Sequence, residues 1–240
     1  MHASRNQPCD SEGLEKEMAA ARAAMVEDIR ARDVTDERVL AALLAVRRHL
    51  FFPEGIPEPV IAYGDFPYPI GWGATISQPF IVAYMTQRLG LKPGERVLEV
   101  GTGSGYQAAV LAAMGAQVWS LEVVPELAAH AQRALQAEGF VEVQVRCANG
   151  HEGWSEAAPF DAIVVTCAPP AVPEALVAQL ADGGRMILPV GDVMEAQLLL
   201  LVRRCGARVT AEADLPVRFV PMTAPSPAGS SPQSPTEPLT

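Results

Sequence analysis

The sequence predicts an α/β fold, doubly wound around a mostly parallel sheet and preceded by an N-terminal helical extension. Strand and helix signals alternate from Arg96 onward, and three closely spaced glycines fall between the first buried strand and the first helix of that alternation. Size agrees: 240 residues, 49% hydrophobic and 19% charged, can bury one sizeable core and require no second domain.

The elements follow in order. Residues 1–13 form a polar leader expected to be disordered. A single domain is expected over 14–223. Within it, residues 14–50 form a helical entry: 14–32 is rich in Ala, Glu and Arg with apolar residues at helical spacing, and Thr35 is placed to cap a second helix over 36–46. Residues 51–79 change character. Pro53, Pro57, Pro59, Pro67, Pro69 and Pro79 alternate with Gly55, Gly64, Gly71 and Gly73, which specifies a fixed, irregular loop. Loops of that length are usually functional, so this one is expected to act as a substrate and cofactor lid.

The core is expected over 80–223. A helix runs over 79–89 and Lys92-Pro93-Gly94 makes a turn. Strands are predicted at 96–100, 117–121, 143–146, 161–167, 185–189, 197–202 and 216–220. Helices are predicted between them at 106–114, 125–138 and 173–180. Residues 224–240 are almost entirely Pro, Ser, Thr, Gly and Ala, a composition expected to leave a disordered tail.

Bulk properties exclude several functions. A formal charge of −10 argues against a nucleic-acid surface, and the pairs Arg47-Arg48 and Arg203-Arg204 are too short to overturn it. Cys9, Cys147, Cys167 and Cys205 show no metal-ligand spacing and no sign of a disulfide framework, which fits a reducing cytoplasm. The N-terminus lacks the basic start and apolar run of a secretion signal, and no apolar stretch approaches the roughly 20 residues that span a bilayer. A cytoplasmic monomer with no nucleic-acid or membrane partner is expected. His49, His130 and His151 are dispersed, and solvated or core histidine is the default reading.

The segment Val97-Leu98-Glu99-Val100-Gly101-Thr102-Gly103-Ser104-Gly105 lets backbone approach a ligand closely at a helix N-terminus. Its GxGxG spacing is tighter than the GxGxxG of dinucleotide folds, which disfavours a nicotinamide dehydrogenase. With Glu99 before it, the turn resembles the first motif of S-adenosylmethionine-dependent methyltransferases, whose core is Rossmann-like. Glu99 suits the ammonium of that cofactor's amino-acid end, where a phosphate would be repelled. About 20 residues beyond Gly101, Glu122 closes the second strand, the offset at which an acid accepts from ribose hydroxyls. Asn149, followed by Gly150, follows the third strand, where an amide can pair with an adenine edge.

Three stretches together resemble the isoaspartyl methyltransferase family: Ala62-Tyr63-Gly64-Asp65-Phe66-Pro67; Ile70-Gly71-Trp72-Gly73-Ala74-Thr75-Ile76-Ser77-Gln78-Pro79; and residues 97–107. The second is the specific one, because other methyltransferases share the glycine turn without an upstream Thr-Ile-Ser-Gln-Pro. The likeness covers about 14–223. It implies methyl transfer from S-adenosyl-L-methionine to the free α-carboxylate of L-isoaspartyl residues in damaged proteins and peptides, the methyl ester then closing to a succinimide. Ser77 corresponds to the family's active-site serine, with a helix N-cap as its alternative role. Thr75 and Ile76 would cover the cofactor, while Gly101, Thr102, Gly103, Ser104, Gly105, Glu122, Asn149 and Gly150 would bind it. Asp65 and Thr223 are the substrate-contact candidates, and Asp65 could equally hold an Asx turn. Trp72 could shape a pocket or serve as a packed anchor. One departure stands out: the family commonly has Gly-Asp-Gly where this chain has Ala148-Asn149-Gly150, so an amide replaces a carboxylate. A dedicated aspartyl-peptide methyltransferase and a non-catalytic cofactor-binding module are the alternatives.

Overall fold

A computed structural model describes residues 9–192 and 196–225. The first eight residues of the leader and the tail from 226 onward lie outside the described residues. Helix α1 (Cys9–Arg30) begins inside the stretch expected to be leader, because good helix formers at Glu12, Glu15, Lys16 and Glu17 continue it N-terminally and its early acids favour that end of the dipole. It buries Met18, Met25, Val26 and Ile29 along one face. Helix α2 (Glu37–Ala45) corrects the expected cap. Asp36, not Thr35, accepts the Arg38 N–H, at 2.9 Å, and the N–H groups of Thr35 and Asp36 both donate to Gln87 Oε1. A carboxylate at this position adds charge to the capping hydrogen bond.

The Pro- and Gly-rich segment is more ordered than an irregular loop. It holds helix α3 (Pro59–Tyr63) and an antiparallel hairpin of β1 (Tyr68–Gly71) and β2 (Ala74–Ile76), in which Tyr68 faces Ile76. Gly71, Trp72 and Gly73 turn the hairpin with φ of 85°, 51° and 71°, conformations that glycine accepts without strain and tryptophan does not. Helix α4 (Pro79–Leu89) follows, opened by proline at its first turn and closed by Gly90 at φ 55°.

The main sheet is built from β3 (Arg96–Val100), β4 (Gln117–Glu122), β5 (Gln144–Cys147), β6 (Phe160–Val165), β7 (Leu180–Val190), β8 (Gln197–Cys205) and β9 (Arg208–Val217). Between them lie α5 (Tyr106–Ala113), α6 (Pro125–Ala137) and the short α7 (Glu174–Ala178). The order is β5-β4-β3-β6-β7-β8-β9, parallel from β5 to β7 and antiparallel across β7, β8 and β9. Alternate residues of β3 and β6 enter two cores. Val97, Ala162 and Val164 join the cluster with α1, α2, α4 and α5, while Leu98, Ile163 and Val165 join that with Trp154 and Leu176.

The final strand was expected at 216–220 and instead ends at Val217, having begun at Arg208. Residues 208–213 alternate polar and apolar, Arg-Val-Thr-Ala-Glu-Ala, but two of the three apolar members are alanines of low strand preference, and all six residues are exposed. The chain then leaves the sheet and lies along the loop after β6, where Ala168 N–H donates to Val220 O and Met222 N–H to Ala168 O, each at 2.8 Å. Strand order reverses direction between β3 and β6, and in such sheets ligands bind in the crevice at the strands' carboxyl ends. No helix among the described residues is long and apolar enough to cross a membrane.

Candidate active site

The glycine turn occupies that crevice. Gly101, Gly103 and Gly105 have φ of 98°, 52° and 91°. A Cβ on Gly101 would lie 2.5 Å from Thr166 Oγ1, which itself donates to Gly101 O at 2.6 Å. The N–H groups of Gly101 and Thr102 donate to Leu121 O, tying the turn to the end of β4. Glu122 finishes the job. Its Oε2 accepts the Gly103 N–H at 2.7 Å, and its Oε1 accepts those of Val123 and Val124 at 2.9 and 3.0 Å. Three N–H donors compensate the burial of this carboxylate.

Three cavities meet here. An inner cleft of about 80 Å³ is lined by Thr75, Gly101, Gly103, Glu122, Gly150 and Thr223, with Thr166 among its walls. A pocket of about 20 Å³ lies between the flap and the turn, bounded by Thr75, Ile76, Ser77, Thr102, Ser104 and Gln107. An outer cleft of about 510 Å³ is walled by Ser77, Gln78, Phe80, Arg32, Arg218 and Phe219, with Thr75 again part of the lining. Thr75 therefore borders all three, and Ser77 borders both the small pocket and the outer cleft.

Ser77 is not the helix cap. Gln78 holds that position without a side-chain cap bond, and the Ser77 hydroxyl makes no hydrogen bond to any described residue. The cap comes from Asp65, which is neither an open substrate contact nor an Asx turn. Its Oδ1 accepts the Phe80 N–H at 2.8 Å, and its Oδ2 accepts from Gln78 Nε2 at 2.9 Å and pairs with Arg32. A carboxylate with that many donors is committed to holding the flap against α4.

Two expected cofactor contacts are placed elsewhere. Glu99 is fully buried behind the turn and does not line the clefts; alternation along β3 turns its side chain beneath α5. Ser120 Oγ donates to it and accepts in turn from Thr102 Oγ1, since its single proton is already given. Burial pushes the Glu99 carboxyl up to about 8, opposed by the Ser120 hydrogen bond and aided by the charge of Glu122. Asn149 is spent locally. Its oxygen accepts the His151 N–H at 3.1 Å and its amide donates to Glu152 Oε1 at 2.8 Å, capping a short 3₁₀ turn and leaving Gly150 alone at the cleft wall. Trp72 is neither pocket wall nor packed anchor: it is exposed at the hairpin tip.

Arg32, Phe80, Gln107, Thr166 and residues 215–221 are not among the site candidates read from the sequence. Thr166 carried a readable signal, a polar residue directly after a buried strand at the sheet's switch point. The others are brought in by topology. Gln107 is 6% exposed, and its Nε2 donates to Thr86 Oγ1 at 3.0 Å. The Thr86 hydroxyl proton is already given to Val82 O, so the amide can only present Oε1 away from it, and that acceptor is buried without a partner. Among the described residues no group of His, Cys, Asp and Glu is arranged to hold a metal.

The family described as protein-L-isoaspartate(D-aspartate) O-methyltransferase (PCMT) matches residues 20–226. A protein-L-isoaspartate O-methyltransferase of Gloeobacter violaceus is 51% identical over 197 residues, 82% of this chain and 95% of that one. Its counterpart in Anaeromyxobacter dehalogenans is 53% identical over 192 residues, covering 79% and 91%. A Plasmodium falciparum structure, named for the same activity and solved with S-adenosyl-L-homocysteine, superposes with a TM-score of 0.73 at 27% identity over 84% of this chain and 98% of that one.

Proposed function

The chain belongs to the protein-L-isoaspartate(D-aspartate) O-methyltransferase family, and we propose from that premise how its residues divide the work. The enzyme methylates the free carboxylate of L-isoaspartyl residues in damaged proteins and peptides, using S-adenosyl-L-methionine, and so opens the route through a succinimide back to aspartate. The observation that carries the assignment of roles is the position of Ser77, at the junction between the pocket beside the glycine turn and the outer cleft.

The residues present fit the cofactor. A turn that a single Cβ at Gly101 would obstruct can admit a nucleoside's sugar and chain against bare backbone. Glu122 has about four acceptor positions and spends three on backbone N–H groups, leaving room for a ribose hydroxyl. Gly150 and Thr223 close the adenosine side, with Asn149 shaping the turn that presents Gly150. The ammonium contact expected of Glu99 falls instead to the unpartnered Oε1 of Gln107. When bound, S-adenosyl-L-methionine supplies an electrophilic methyl group.

The chain's own contribution is positioning. A carboxylate is already ionised at neutral pH, so the acceptor needs no general base. The free Ser77 hydroxyl donates to one acceptor oxygen and aims the other toward the inner pocket, a gain in alignment that proximity effects make large. Thr75 and Ile76, held in the β1–β2 hairpin, form the wall that keeps bulk water from the point of transfer. Asp65 keeps that wall in place through Gln78, Phe80 and Arg32.

The test is transfer of labelled methyl from S-adenosyl-L-methionine to matched isoaspartyl, aspartyl and D-aspartyl peptides. Label on the isoaspartyl peptide well above the aspartyl one is expected. Absence of label there, with cofactor binding shown independently, would reject the reading.

A further inference from the structure

We propose that the outer cleft selects isoaspartyl peptides carrying an acidic residue next to the damaged position, and that Arg218 makes the selection. The inference rests on the function given above and adds a substrate subclass to it. The chain carries 28 acidic and 18 basic residues, a net charge of −10, yet the lining of the outer cleft contains two arginines and no aspartate or glutamate. The two arginines are not equivalent. Arg32 is paired with Asp65 and lies over the Phe80 ring, 3.9 Å from its centroid, so its charge is already answered. Arg218 has no hydrogen bond or ion pair with any described residue. The acid nearest to it along the chain, Asp214, is taken by Tyr84 Oη and Arg88 Nε, each at 2.7 Å.

Position decides what Arg218 meets. Thr75 and Ser77 border the small pocket beside the glycine turn as well as the outer cleft, so the carboxylate to be methylated sits with them. Arg218 borders the outer cleft alone and comes from the segment after β9, set back from the point of transfer. The group facing it is therefore a neighbouring residue of the peptide. Elsewhere the surface field of an anionic protein repels acidic chains, and one unneutralised cation in the cleft reverses that sign locally. An exposed ion pair of this kind is worth up to about fivefold in binding and is weakened by salt.

The experiment uses the full chain and a set of isoaspartyl hexapeptides of one core sequence, with Glu, Gln or Lys placed in turn on each side of the isoaspartyl residue. The readout is the ratio of kcat/KM between peptides, which a loss of activity common to all of them leaves unchanged. For the unaltered enzyme the Glu peptide is expected to exceed the Gln peptide about fivefold at one of the two positions, with Lys below both, and the spread is expected to shrink at high salt. Arg218→Ala should bring the ratio close to one, and Arg218→Glu should invert it in favour of Lys. Equal rates for all three peptides in the unaltered enzyme, or a preference that survives in Arg218→Glu, would overturn the proposal. So would a uniform fall across the set with the ratio preserved, because Arg218 would then serve the reacting carboxylate or the fold. Failure of every isoaspartyl peptide, Gln included, would instead count against the function from which the proposal starts.

Discussion

Glu122 Oε2 accepts the backbone N–H of Gly103 at 2.7 Å, so the acid that ends β4 also holds the middle of the glycine turn that leaves β3. One carboxylate thus shapes the cradle, and in the proposed function it also presents its remaining acceptor to the cofactor. Glu122→Ala removes a charged acceptor serving three N–H groups, and such bonds are worth about 1.5–3 kcal/mol each in context. Calorimetry should show cofactor affinity falling by tenfold or more. Glu122→Gln keeps one acceptor oxygen and is expected to fall between the two.

The turn tolerates no side chain at its first position. Gly101→Ala combines a φ of 98° with a Cβ 2.5 Å from Thr166 Oγ1, whereas Gly94→Ala at φ 84° meets nothing within 4 Å. Both variants pay backbone strain of about 1–3 kcal/mol, and only Gly101→Ala adds a clash. Thermal melts should rank Gly101→Ala as the less stable of the two, with cofactor binding lost in it and kept in Gly94→Ala.

Asp65 governs the flap from a distance in sequence. Asp65→Ala should destabilise the chain by about 1–2 kcal/mol through loss of the Phe80 cap, by analogy with other caps. Asp65→Asn retains an acceptor for the Phe80 N–H and should recover much of that loss. Since the flap carries Thr75 and Ser77, the KM for peptide should rise more than that for cofactor in the alanine variant.

Glu99 gives the fold a pH dependence of known sign. Its carboxyl is held up to about 8 in the folded chain against an ordinary value near 4.5, so the folded state binds a proton that the unfolded state has released between those pH values. Its contribution is fully present below about 4.5 and is lost as pH rises through about 8. Glu99→Gln, which keeps the neutral form at all pH, should leave stability near pH 4.5 little changed and become progressively more stable than the unaltered chain toward pH 8. Denaturant titrations of both chains across that range measure the difference; parallel curves would mean that Glu99 is not held protonated.

Much of the fold was legible because its signals are local. Helix α4 begins at Pro79 and ends before Gly90, as proline and glycine dictate, and β3 was readable as an apolar run into a glycine turn. Strand β9 was not, because its alternation over 208–213 is carried largely by alanines, which favour strands weakly, and its first six residues are exposed, while the pairing that holds it to β8 is a long-range feature. The site divides the same way. Residue types at strand ends marked Glu122, Gly101 and Gly103 correctly as neighbours. Which way Glu99 faces, what occupies the Asn149 amide and who receives the Asp65 carboxylate depend on partners between two and 33 positions away, and no spacing in the sequence encodes them.

In the proposed function Ser77 is the group that aligns the acceptor where the cofactor pocket meets the peptide cleft. The most direct measurement is Ser77→Ala, with kcat on an isoaspartyl peptide and the dissociation constant for S-adenosyl-L-homocysteine determined on the same preparation. A fall in kcat of tenfold or more with the dissociation constant unchanged within twofold is predicted. Unchanged turnover, or turnover and affinity falling together, would contradict it.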